Sequence, residues 1–185
     1  RAERRVPRLL HCRAQRKATG TDLHRRQLGR HALESRVTAA QHAEGAELQR
    51  RLVETVRQYG MRMIGPNCFG ILNTDRDVQL NATFTTLFPP RGRAAMSSQS
   101  GAIGIATLAA TRRFHLGISS FVSIGNTADV STNDLLEYWE DDPETGLITL
   151  YLESFGNPRK FSRISRRVAK EKPIVAVKSG RSLTG

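Results

Sequence analysis

The chain has 185 residues, 38% of them hydrophobic, and a formal net charge of +12, enough material for one large domain or two small ones with a buried core. Its two cysteines, Cys12 and Cys68, define neither a disulfide framework nor a metal site and fit a reducing cytoplasm. No apolar run approaches the length that crosses a bilayer, which excludes a membrane-spanning segment.

Residues 1–42 hold 11 Lys and Arg against 3 Asp and Glu, together with four of the five histidines: His11, His24, His31 and His42. They contain no aromatic residue and no isoleucine, too little apolar surface for a core. A basic arm can neutralise the phosphates of nucleic acid or anionic lipid without a fold. This head is the only feature that favours such a partner, because residues 43–185 are far closer to balance, with 18 basic residues against 14 acidic. The sequence as a whole is therefore read as binding neither nucleic acid nor membrane. The head also lacks the clean apolar region of a presequence.

From Glu44 the texture changes. Leu48, Leu52, Val53 and Val56 recur at helical spacing, and Gly60 marks a stop. Met61–Ile64 reads as a short strand running into the turn "GPNCFG", and the irregular stretch ending in "FPPRG" reads as a connection between domains, with a boundary near residue 90. Beyond it the signals alternate: strand 93–97, helix 101–113, strand 118–124, helix 132–140, strand 147–152, helix 159–170 and strand 173–178. That order predicts an α/β fold with a parallel sheet, and "LITLYLE" and "PIVAVKS" have the near-continuous apolar character of buried central strands. Ser131 with Asp134 has the spacing of a capping box, while the basic residues of the last helix, Arg159 to Lys170, read as a solvated face.

In an open parallel sheet every strand's carboxyl end lies on one edge, and ligands bind there. That edge collects the polar loops "SQSG", "GNTAD", "ESFGNP" and "KSGRSLTG", whereas "RRFHLG", "DDPETG" and "KEKP" are ordinary connections on the opposite side. At "SSQSGAIG" two readings stand. Ser98 or Ser100 caps the helix, or the turn presents backbone N–H groups and a positive helix end to an anion. The gathering of polar loops favours the anion. The stretch lacks both the dinucleotide and the P-loop patterns, so neither supports it. Glu153 either orients a cationic or imidazole partner or simply faces water. Asp129 and its neighbour Asn126 either order the "GNTAD" loop or contact an ion, with ordering favoured for Asp129. Lys178 and Arg181 suit a phosphate or are surface charge. Cys68 faces a thiol ligand or is a small buried hydrophobe. Asn67 and Gly70 shape their turn.

Taken together, "MRMIGPNCFGILNT", "GRAAMSSQSGAIG", "SIGNTADVSTNDLLEYWEDDP" and "LYLESFGNPRKFSRISRRVAKEKPIVAVKSGRS" resemble the NDP-forming acyl-CoA synthetases of the acetate–CoA ligase type, relatives of the succinyl-CoA synthetase alpha subunit. The resemblance runs unbroken over about residues 43–185. It implies the C-terminal remnant of a Rossmann-like CoA-binding domain at 43–90 and a flavodoxin-like ligase domain at 91–185. The implied reaction makes an acyl-CoA from a small carboxylic acid, CoA and ATP through an acyl phosphate and a phosphohistidine, with Mg and an ATP-grasp domain or subunit as partner. By motif, Asn67 and Cys68 would lie near CoA, Ser98, Ser100 and Gly101 would receive the histidine-bound phosphate, and Glu153 would contact the histidine ring.

In that family the phosphorylated histidine follows "KSGRS" by a few residues, beyond Gly185, so the expectation is a fragment inactive by itself. His115, at the opposite helix end, is no replacement. Residues 1–42 match nothing in the family, and their Arg, Ala and His bias is that of GC-rich DNA read out of frame; a disordered or out-of-frame head is expected. The alternative reading is a non-catalytic CoA- or acyl-CoA-binding regulatory module from an acetyltransferase fusion. The acyl substrate, the choice between ADP and GDP, and homo- or hetero-oligomeric assembly are not legible.

Overall fold

The computed structural model describes residues 43–180; the expectations placed on residues 1–42 and on Arg181 lie outside them. Along the described residues run α1 (Ala43–Gln58), β1 (Gly70–Asn73), β2 (Leu80–Thr83), β3 (Arg91–Ser98), α2 (Gly101–Arg113), β4 (Ile118–Ser123), α3 (Thr132–Asp141), β5 (Leu147–Leu152), α4 (Pro158–Val168) and β6 (Ile174–Lys178). One six-stranded sheet has the order β2-β1-β4-β3-β5-β6. The pairs β4–β3, β3–β5 and β5–β6 are parallel, as the alternation of strand and helix signals requires.

Neighbouring residues of a strand point to opposite faces, and the core divides accordingly. Ala95 and Val122 belong to an apolar cluster with Leu136, Trp139, Ile148, Leu152, Ile164 and Val168, so α3 and α4 cover that face. Met96 and Phe121 belong to a second cluster with Phe69, Leu72 and Leu108, which puts α2 on the other face. Gly104 permits that close approach, since a Cβ there would stand 2.7 Å from the Phe121 ring. The central strand β4 is buried throughout although half of it is serine. Each hydroxyl has a partner: Ser119 meets Thr145, Ser120 accepts from Trp139 Nε1 at 2.8 Å, and Ser123 accepts from Phe69 N–H.

Caps set the helix starts. Asp134 closes the expected box on Ser131, its Oδ2 accepting from Ser131 N–H at 2.9 Å. Asn157 accepts from Lys160 N–H at 3.0 Å, with Pro158 in the first turn.

Two expectations in the stretch before residue 90 are corrected. Met61–Ile64 is not a strand; its polar backbone is satisfied instead by a loop, with Met63 N–H donating to Asp129 and Met63 O accepting from Val130 N–H. The stretch read as an irregular connection contains β1 and β2, an antiparallel hairpin, and β1 also pairs antiparallel with β4. β1 and β2 thus join the same sheet as β3 to β6. The two hairpin strands are four residues each, too short to show a period, so their signal emerges only once β4 supplies a partner.

Candidate functional site

The carboxyl ends of β3, β4, β5 and β6 are tied into one edge. Ile124 N–H donates to Ser98 O, Gln99 N–H to Tyr151 O, and Ser179 N–H to Leu152 O, at 2.8 to 3.1 Å. The loops after these strands therefore share one rim. The "GPNCFG" loop joins them, because β1 runs antiparallel to β4 and pairs Gly70 with Ser123.

At the centre, β3 turns into α2. Ser100 is the N-cap, and its hydroxyl accepts from Ile103 N–H at 3.4 Å, a long bond. No acidic side chain occupies the first turn of α2. The N–H groups of Gly101 and Ala102 thus begin the helix at its positive dipole end, with no carboxylate in that turn. Ser98 lies beneath the turn, fully buried, and donates to Ser100 O at 2.6 Å. A Cβ at Gly101 would come within 3.5 Å of Phe69 Cβ, so the "GPNCFG" loop borders the turn directly.

Glu153 follows β5 on the same rim and is exposed. Its backbone is fixed by a residue that sequence reasoning missed. Gln99 Oε1 accepts from the N–H groups of Glu153 and Ser154 at 2.6 and 2.7 Å, and Gln99 Nε2 donates to Ser154 O at 2.8 Å. The available signal was its place between two serines at a strand end, which says nothing of a partner 54 residues away.

Around β4, Gly125 (φ +51°) approaches so closely that a Cβ would stand 2.2 Å from Asn67 O. Asn126 N–H donates to Pro66 O and Ala128 N–H to Gly65 O, which zips the "GPNC" and "GNTAD" loops together. Asn67 is exposed with φ +54°, and its side chain donates to Asn126 Oδ1; Asn126 in turn donates to Gln49 of α1. Cys68 is half-buried with Sγ 3.6 Å from Ile64 O.

Asp129 has no exposed side-chain surface and holds Arg62, Arg57 and the Met63 N–H. Burial raises its pKa, but the hydrogen bonds from Arg62, Met63 and Arg57 outweigh burial and hold the carboxyl below its ordinary value. Lys178, at the end of β6, donates to Ser179 O and Gly180 O. Among the described residues no three His, Cys, Asp or Glu side chains are grouped to hold a metal ion.

A cavity of about 70 Å³ lies at the opposite edge, beside the amino ends of β3 and β4, lined among others by Asp75, Arg91, Tyr138 and Asp142. Burial first, then the charges of Asp142 and Asp75, push the Tyr138 hydroxyl up to about 12. It is remote from the loops that gather at the carboxyl rim. No helix of the described residues is long and apolar enough to cross a membrane.

Comparison with known proteins places this rim in context. Residues 91–185 match the succinyl-CoA ligase like flavodoxin domain. The chain is 44% identical over 142 residues to an ADP-forming acetate–CoA ligase of Archaeoglobus fulgidus, covering 77% of this chain and 20% of that one. It is 45% identical over 144 residues to the alpha subunit of an ADP-forming acetate–CoA ligase of Pyrococcus furiosus, covering 77% and 30%. A solved dinucleotide-forming acetyl-coenzyme A synthetase of Ca. Korarchaeum cryptofilum, in complex with phosphate and ADP, superposes with a TM-score of 0.70 at 44% identity, covering 76% and 30%. The chain thus spans less than a third of the length of these relatives.

Proposed function

We propose a function from one premise: the chain belongs to the succinyl-CoA ligase like flavodoxin domain family, and it serves as part of an acyl-CoA synthetase that joins a small carboxylic acid to CoA with ATP as energy source. The observation that carries this reading is the rim itself, where the acid-free first turn of α2 and the Glu153 loop are joined by Gln99. The N–H groups of Gly101 and Ala102 take the oxygens of a phosphoryl group carried on a histidine side chain. The same helix end favours its negative charge, Ser100 caps the turn, and Ser98 supports it from below. Glu153 contacts the histidine ring and holds its proton. Such a preorganised set acts without rearrangement when charge moves.

The loop of Asn67 and Cys68 borders this turn and is the assigned CoA contact; CoA, when bound, supplies the thiol that takes the acyl group. Lys178, at the end of β6, is a cation for passing phosphate, and Arg181, outside the described residues, is assigned the same role. Nucleotide and Mg belong to an ATP-grasp domain or partner subunit.

The test is a chimera in which residues 43–185 replace the matching segment of the Pyrococcus furiosus alpha subunit, assayed with that enzyme's other subunit for ATP-dependent acetyl-CoA formation. Activity should be retained, and Glu153→Gln in the chimera should lower kcat about a hundredfold. A folded but inactive chimera, or an active one indifferent to the substitution, overturns the reading.

A further inference from the structure

The parallel ladder between β3 and β5 has the register Ser97 with Leu150 and Ser98 with Tyr151. One more backbone bond follows, from Gln99 N–H to Tyr151 O at 3.1 Å. Then the two chains part: residue 100 becomes the N-cap of α2, while the other chain continues into Glu153 and Ser154. The Gln99 side chain spans the gap. Its amide meets both the N–H and the C=O of Ser154 and also takes the N–H of Glu153, at 2.6 to 2.8 Å. A primary amide has the same donor and acceptor pair as a peptide unit, so the side chain adds a rung to the ladder where the backbone has left it.

The two loops that leave these strand ends are thereby joined to each other. One carries the Gly101 and Ala102 amides, the other the Glu153 carboxylate. Leu offers neither contact at residue 99, and Asn falls a methylene short. Glu keeps the acceptor for both N–H groups, turns its second oxygen toward Ser154 O in place of the donor, and adds a charge that weakens both anionic probes alike.

We infer that Gln99 is a positioning residue, setting the Glu153 carboxylate at the distance from the α2 amide turn that lets one phosphorylated imidazole touch both. This rests on the functional reading above. Gln99 touches no reacting atom and acts through Glu153.

The experiment follows backbone amides of the full chain by NMR while two probes are titrated: inorganic phosphate, which engages only the α2 turn, and N-phosphoimidazole, which also presents a ring to Glu153. The wild-type chain should bind phosphoimidazole about tenfold more tightly than phosphate, the scale of one charge-assisted contact. In Gln99→Leu the two affinities should become equal while phosphate affinity stays as it was, and Gln99→Glu should restore much of the ratio. A merely structural role would weaken both probes together, leaving the ratio intact.

A tenfold ratio that survives Gln99→Leu overturns the inference and leaves the functional reading standing. A wild-type chain that binds neither probe, or binds both equally, overturns the assignment of the α2 turn or of Glu153, and this inference falls with it. If Gln99→Leu loses its amide dispersion, Gln99→Asn carries the same comparison.

Discussion

Asp129 stays charged without any exposed side-chain surface because Arg62, Arg57 and the Met63 N–H all point at its two oxygens. Its folded-state pKa is lowered, so it binds protons less readily folded than unfolded. The stability it supplies is present above the ordinary carboxylate value of 3.8 and is lost as pH falls through the lower folded value. Thermal melts from pH 7 down to pH 3 should therefore show a steep acid limb that Asp129→Asn flattens. At neutral pH the same substitution should cost about 2 kcal/mol, the worth of hydrogen bonds to a buried charge; an unchanged acid limb would contradict this account. The sequence favoured loop ordering over an ion contact for Asp129 but named no partner. The deciding partners, Arg57 and Arg62, stand 72 and 67 positions away, a distance no local pattern conveys.

Under the proposed function, the start of α2 serves structure and chemistry together. Capping and anion binding, rival readings in the sequence, would use different N–H groups: Ser100 takes that of Ile103 and leaves those of Gly101 and Ala102. Ser100→Ala should destabilise by about 1 kcal/mol in urea unfolding. Ser100→Asp keeps a cap acceptor and suits the dipole, so it should melt near the wild-type temperature while abolishing the phosphate-induced shifts of the Gly101 and Ala102 amides. Equal phosphate binding by both variants would show that the turn only caps. α2, α3 and α4 and the four parallel strands were legible because each combines an apolar run with turn residues or a cap, but β6, expected as a buried central strand, is the edge strand with Val175 and Val177 exposed. The segment 61–83 was not legible. Its backbone partners are a loop in one case and a central strand in the other, so its sequence carries no period of its own.

The whole molecule rests on a two-sided core, and Trp139 anchors one side, fully buried with its N–H on Ser120 of the central strand. Trp139→Ala should cost about 3 to 5 kcal/mol in chemical denaturation. Trp139→Phe keeps most of the ring but removes the donor and should cost about 1 to 3 kcal/mol. A loss below 1 kcal/mol for the alanine variant would mean that α3 is not docked on this face.

By itself the sequence determined the alternation of strand and helix, the parallel sense of β3 to β6 and the collection of polar loops at their carboxyl ends. It could do so because burial period and turn chemistry are local properties of the chain. The structure alone decided that β1 and β2 extend the same sheet, that "GPNC" closes against "GNTAD", and that Gln99 completes a rung to Ser154. Each of these depends on hydrogen-bonding groups whose partners lie far away in the chain, and such groups find one another only when the fold has brought their elements together.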